Sequence, residues 1–147
     1  MNTEQDYHKC FIIHLKRAVK RKKTVQSIIS KMECETKIID AIDGSTLTAQ
    51  DISQYCDNNN YFSPKYPFTL NNGEIGCFLS HREAWKAIVN EKLEAGFIIE
   101  DDCQIDNEKF NKSFEIALKL VKKLGYIQFQ TREIPTNSVE IKNIDGV

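Results

Sequence analysis

The chain has 147 residues, with 20 Lys or Arg against 21 Asp or Glu and a formal net charge of −1. That length suits a single domain around one hydrophobic core. The near balance of charge gives no global field toward nucleic acid, so no nucleic-acid partner is expected.

The opening residues, MNTEQDYHK, are polar and lack the apolar core of a secretory signal. No run approaches the roughly 18 apolar residues needed to span a bilayer. The five cysteines, at 10, 34, 56, 77 and 103, are scattered and odd in number, with no CxxC or zinc spacing. Reduced thiols in a cytoplasmic protein are the expectation.

The β-branched run Cys10–Leu15 predicts a buried strand. It leads into the basic residues Lys16, Arg17, Lys20, Arg21, Lys22 and Lys23. Val25, Ile28, Ile29 and Met32 recur at helical spacing, and Thr36–Ala41 reads as a second strand ending at the turn pair Asp43-Gly44. Thr48 and Asp51 open a short helix reaching Cys56. Residues 57–72, with two prolines and five asparagines, read as a loop internal to one domain spanning 1–147.

The next helix is capped at Asn72, carries Glu74 in its first turn, and shows one apolar stripe of Ile75, Phe78, Leu79, Trp85, Ile88 and Val89. Gly96 breaks it, and Phe97–Ile99 form a third strand. Asp106 caps a last helix with Phe110, Phe114, Ala117, Leu118, Val121 and Leu124 on one face, stopped by Gly125. Tyr126–Phe129 reads as a fourth strand, and residues 131–147 show weak strand tendency. This alternation predicts an α/β fold with a mainly parallel sheet and flanking helices. Ligands of such sheets sit beyond the carboxyl ends of the strands, where Arg17 and the run Glu100-Asp101-Asp102 should both lie.

Three adjacent carboxylates repel unless water, a cationic side chain, a proton or a divalent metal relieves them. Alternation along the strand lets Glu100 and Asp102 face one way and Asp101 the other. Hard oxygen donors suit Mg²⁺ or Mn²⁺. Arg17 or Arg21 offers a planar fork for a diphosphate. No GxxxxGK[ST] or GxGxxG motif is present. A solvated acidic loop is the plain alternative. Trp85 reads as core first and as a sugar platform second; His81 reads as a packed residue or a catalyst.

Ile12-Ile13-His14-Leu15-Lys16-Arg17 with Arg21, then Ala41-Ile42-Asp43-Gly44, then Gly73-Glu74-Ile75-Gly76-Cys77-Phe78-Leu79-Ser80-His81 with Trp85, then Ile98-Ile99-Glu100-Asp101-Asp102 follow one another in a set order. Together they resemble glycosyltransferase family 25, the lipooligosaccharide-biosynthesis galactosyltransferases related to collagen galactosyltransferases. The resemblance implies a GT-A-like fold and an inverting, metal-dependent transfer of a hexose. The implied donor is UDP-galactose and the acceptor a lipid-linked oligosaccharide of lipooligosaccharide or lipopolysaccharide. It implies Mn²⁺ or Mg²⁺ at Asp102 and Glu100. It places the donor against Arg17, Arg21, Asp43, Gly44, Ser80, Glu100 and Asp101, and gives His81 a catalytic place.

Two departures stand out. The family usually carries Asn and Asp where this chain has His14 and Lys16. Its domains also continue well past the fourth strand, so an N-terminal portion, incomplete at its carboxyl end, is expected. An inactive donor-binding remnant of the same fold is the main alternative, and a receiver-like signalling module the distant one. Lys20, Arg21, Lys22 and Lys23 read as a solvated helix face, or as a peripheral contact with an anionic inner membrane.

Overall fold

The computed structural model of the protein describes residues 7–55 and 70–129. Most of the expected loop over 57–72, the helix end at Cys56 and the strand tendency of 131–147 lie outside them. Residues up to Cys103 make one compact unit and those from Gln104 a second.

In the first unit, β1 (His8–His14) shows no polar–apolar alternation. Cys10, Phe11 and Ile12 are fully buried, and Ile13 nearly so. Successive strand side chains point to opposite faces, so burial of all four means that both faces of β1 are covered. Such a strand belongs in the middle of a sheet. β1 lies between β2 (Thr36–Asp40) and β3 (Ala95–Glu100), in the order β2-β1-β3, and both pairings are parallel. His14 is level with Asp40, and Ile13 with Glu100, so the three strands finish at the same edge. The α/β, parallel expectation holds, and the arrangement is consistent with a GT-A-like fold.

Helices supply the connections. α1 (Lys22–Ile29) buries Val25 and Ile28. The short α2 (Ala49–Tyr55) begins with the predicted pair: Asp51 N–H donates to Thr48 Oγ1 at 3.1 Å, and Thr48 N–H to Asp51 Oδ2 at 2.9 Å. α3 (Asn72–Asn90) packs on all three strands. Its cap is Asn71 rather than Asn72. Asn71 Oδ1 accepts from Glu74 N–H at 3.0 Å, and Glu74 Oε2 accepts from Asn71 N–H at 2.7 Å, a complete capping box.

The apolar stripe expected on α3 divides in two. Ile75, Gly76, Leu79, Ser80 and Ala84 are buried, whereas Phe78, Trp85 and Val89 are exposed. The small residues Gly76 and Ser80 take the places against the backbone of the loop after β2, and the bulky row lies outside. Trp85 is therefore not a core residue. Gly96 does not end the helix, which stops at Asn90 (Lys92 turns the chain at φ 54°). Gly96 lies inside β3, where a Cβ would come within 2.3 Å of Ile88 Cδ1.

α3 sits unusually close to the loop after β2. A Cβ on Gly76 would stand 2.7 Å from both Gly44 N and Ile42 O, and one on Gly44 would stand 1.9 Å from Asn72 O. These neighbours are main-chain atoms and cannot swing aside. Ser80 fastens the same contact: its hydroxyl donates to Gly76 O at 2.6 Å and accepts from Ile42 N–H at 2.8 Å.

At the other end of the sheet, Lys9 Nζ lies 2.8 Å from Glu35 and 2.9 Å from Glu91, and Lys37 Nζ lies 2.8 Å from Glu91. Hydrogen bonds from Lys37 and Lys9 hold the Glu91 carboxyl below its ordinary range.

In the second unit, α4 (Asn107–Leu124) begins at Asp106, whose side chain accepts from Glu108 N–H at 3.2 Å, and ends at Gly125 with φ 77°. The fourth strand expected over Tyr126–Phe129 does not form. Phe129 instead lies over Phe110, their ring centres 5.8 Å apart, and Phe110 stacks on Phe114 at 5.4 Å. No helix among the described residues is long and apolar enough to cross a membrane.

Gly76→Ala should lower stability by about 1–3 kcal/mol through overpacking, and Ser80→Ala by about 1–3 kcal/mol by orphaning the Ile42 N–H, both read from urea unfolding. The stability that Glu91 contributes is present above the ordinary glutamate pKa of about 4.3 and is lost as pH falls through its lower folded value. Urea midpoints of Glu91→Gln should therefore fall less steeply with acid than those of the unsubstituted chain.

Candidate functional site

The carboxyl ends of the three strands open onto a cleft of about 680 Å³. The end of β1 contributes Ile13 and the next loop Leu15, the segment after β2 contributes Ala41 to Ser45, and the end of β3 contributes Glu100 with Asp101 from the turn beyond; the start of α3 closes one side. The chain leaves β1 for β2 on one side and then crosses to β3 on the other, the reversal of strand order that creates ligand crevices in parallel sheets.

The acidic triplet divides by burial, with Glu100 the last residue of β3 and Asp101 and Asp102 in the turn beyond it. Asp101 is buried at 3% exposure, while Glu100 and Asp102 keep about half their side-chain surface. Burial works to raise the Asp101 pKa. Hydrogen bonds from Arg21 and His14 and the Leu15 N–H outweigh it and hold the carboxyl below its usual range. Arg21 Nη1 donates to Asp101 Oδ1 at 2.8 Å, and the Leu15 N–H to Oδ2 at 3.3 Å. His14 Nδ1 lies 2.6 Å from Oδ2. Asp101 is thus the anchor that ties the end of β3 to the end of β1.

Arg17 and Asp43 face each other across the cleft. Arg17 donates from Nε to Asp43 Oδ2, and from Nη2 to Oδ1 at 3.2 Å. Asp43 also accepts from Ser45 N–H at 3.0 Å and Ser45 Oγ at 2.6 Å, capping the turn Gly44–Thr46. Arg17 first, then these Ser45 bonds, keep Asp43 well below the ordinary carboxylate range.

The residues named from sequence sort clearly. Arg17, Arg21, Asp43, Gly44, Ser80, Glu100 and Asp101 all line the cleft. Gly44 and Ser80 do so as packing and clamping elements, with the Ser80 hydroxyl already engaged on both sides. His81 and Asp102 are not among the lining residues. His81 reaches the cleft through Glu100, with Nε2 3.3 Å from Oε1, and this bond holds Glu100 below its usual range against the opposing effect of burial. Asp102 Oδ2 stands 3.4 Å from Arg21 Nη1. Within the basic cluster, Arg21 turns to Asp101 while Lys20, Lys22 and Lys23 stay exposed.

Of the remaining residues around the site, His14 was ambiguous in sequence between a packed residue and a catalyst, and Cys77 escaped the sequence reading. His14, where the family pattern differs, is buried against Asp101 and does not line the cleft; Lys16 pairs with Asp40 at 2.7 Å on the surface. Cys77 lines the cleft with its Sγ 3.9 Å from Glu100 Oε1, and burial followed by the Glu100 charge pushes its thiol pKa up. The i, i+4 spacing of Cys77 and His81 on the best-marked helix was the available signal.

Residues 7–144 match the family described as glycosyltransferase family 25 (LPS biosynthesis protein). The chain belongs to glycosyltransferase family 25. Mouse procollagen galactosyltransferase 2 is 34% identical over 107 residues, covering 69% of this chain and 17% of that protein. The rat protein named probable inactive glycosyltransferase 25 family member 3 is 28% identical over 152 residues, covering 99% of this chain and 26% of its own length. The zebrafish procollagen galactosyltransferase 1 is 32% identical over 102 residues, covering 68% and 17%. The chain thus spans about a quarter or less of the relatives it matches. No solved structure matches. Membership displaces the receiver-type alternative, and relatives named as transferases and as inactive proteins share this region.

Asp101→Asn should lower stability by about 1–3 kcal/mol, since it removes the charge that Arg21 and His14 share. Urea unfolding measures this, and an unchanged midpoint would remove Asp101 from its anchoring role.

Proposed function

We propose that this chain forms the donor-binding part of a cytoplasmic hexosyltransferase of family 25. It takes UDP-galactose and passes galactose, with inversion, to a lipid-linked oligosaccharide of lipooligosaccharide or lipopolysaccharide. The family's description supports that acceptor, and the galactosyltransferase relatives support that sugar. The cleft volume falls within the range of small-molecule sites, about 300–1,000 Å³.

One observation carries the reading: the charge balance of the cleft. Arg17 and Arg21 bring two positive charges, and Asp43, Glu100 and Asp101 bring three negative ones, a formal balance of −1. Each arginine is already matched by a carboxylate. Like unit charges about 4 Å apart repel by about 4 kcal/mol at an effective dielectric near 20, so a diphosphate entering here needs a cation with it. Glu100 and Asp102, half exposed on either side of the buried Asp101, fit a hard ion that leaves most of its coordination to water and phosphate oxygens. Mn²⁺ or Mg²⁺ bound there would neutralise charge developing on the departing diphosphate.

The protein's own groups do the positioning. Arg21 holds the acidic turn against β1, and Arg17 can exchange its bond to Asp43 for a phosphate oxygen. His81 orients Glu100, and through it has its place in catalysis. The exposed Lys20, Lys22 and Lys23 offer a face toward the anionic membrane that would carry the acceptor.

The second reading, a donor-binding remnant without transferase activity, is favoured by the match of nearly the whole chain to relatives named inactive. Calorimetry with UDP-galactose should show binding that requires Mn²⁺ in the unsubstituted chain and is lost in Asp102→Ala. Equal binding by the two proteins would refute the metal assignment. Metal-dependent binding with no galactose transferred to an oligosaccharide acceptor would select the remnant.

A further inference from the structure

We propose that Cys77, His81 and Glu100 form a site for a thiophilic divalent ion of the Zn²⁺ type, separate from the all-oxygen pair Glu100 and Asp102. Cys77 and His81 stand at i and i+4 on α3, which places them on one side of the helix a turn apart. β3 brings Glu100 to them across the edge of the cleft. Its Oε1 is 3.3 Å from His81 Nε2 and 3.9 Å from Cys77 Sγ, and one ligand atom from each residue lies within 4.8 Å of the other two.

These separations suit a tetrahedral ion. Zn²⁺ bonds at about 2.3 Å to sulfur and about 2.0–2.2 Å to nitrogen and oxygen, which sets ligand-to-ligand edges of about 3.3–3.6 Å. The His81–Glu100 separation already has that value, and the Cys77–Glu100 separation exceeds it by about 0.3 Å. A thiolate, an imidazole and a carboxylate together select Zn²⁺ over Mg²⁺ and Mn²⁺, which favour oxygen alone. Asp102 lies outside this group of atoms. Three protein ligands leave a fourth position open. Cys77 and Glu100 both line the cleft, so that position faces it and would take water, or a phosphate or carboxylate oxygen. The inference shares Glu100 and His81 with the donor reading and stands without it.

The test uses the full chain, reduced and stripped of metal, with Zn²⁺ and Co²⁺ alone as probes. Calorimetry should show one equivalent of Zn²⁺ bound. The Co²⁺ adduct should show a thiolate-to-metal charge-transfer band in the near ultraviolet. Loss of a second-shell partner already lowers metal affinity about 10–100-fold, so Cys77→Ser and His81→Gln, which each remove a direct ligand, should lower Zn²⁺ affinity by at least about 100-fold. Cys77→Ser should also abolish the band. Asp102→Asn should bind Zn²⁺ as the unsubstituted chain does, which separates this site from the donor-metal site. Zn²⁺ should raise the Tm of the unsubstituted chain and of Asp102→Asn, but not of Cys77→Ser. Failure of the unsubstituted chain to bind Zn²⁺ overturns the proposal. So does Zn²⁺ binding that survives in both Cys77→Ser and His81→Gln.

Discussion

Asp101 is a carboxylate buried at the end of β3, and Arg21, His14 and the Leu15 N–H, all from the other side of the strand junction, converge on it. A buried charge persists only when its partners repay the lost hydration, and these three do so. The rest of the cleft depends on that arrangement. With Asp101 buried, Glu100 at the last position of β3 and Asp102 in the turn beyond it keep about half their side-chain surface, so an acidic triplet becomes one structural anchor flanked by two exposed carboxylates. Arg21, which the sequence offers both as part of a basic cluster and as a diphosphate fork, is drawn into the site by the same bond.

The facing wall is built on close approach rather than charge. Gly44 and Gly76 let the loop after β2 lie directly on α3, and the Ser80 hydroxyl bridges the two main chains. This contact places Asp43, and through it Arg17, opposite the acidic turn. It also brings Cys77 and His81, one residue beyond Gly76 and Ser80 respectively, toward Glu100. The packing residues and the chemical residues of α3 therefore alternate along one short stretch, each pair set by the same helical turn.

Much of this was legible in the sequence because it rests on local rules. The unbroken apolar run of β1 marked a buried strand, and the pairs Thr48–Asp51 and Asp106–Gly125 marked helix ends. Alternation through Glu100–Asp102 anticipated that Asp101 differs from its neighbours, although β3 ends at Glu100 and the other two carboxylates sit in the turn beyond it. What was not legible rests on distant partners. The burial of His14 depends on a carboxylate 87 positions away. The split apolar stripe of α3 depends on small residues being needed where the β2 loop approaches. Tyr126–Phe129 has strand-forming side chains, but no local rule shows that Phe129 lies against Phe110, nineteen positions earlier. The order of the family motifs supplied the relation to glycosyltransferase family 25, while the roles of single residues within the motifs came from the geometry.

The pairing of Arg17 with Asp43 and of Arg21 with Asp101 also bears on how a ligand arrives. Opposite charges held a few ångströms apart cancel beyond the Debye length, about 8 Å at physiological ionic strength. The cleft mouth therefore sends no positive field into solution to steer a dianion. A phosphate-bearing molecule would reach it by ordinary diffusion, and discrimination would begin only at contact. Encounter should then be at most weakly quickened by salt, which screens the residual formal charge of −1, while retention depends on the ion carried in or already held there.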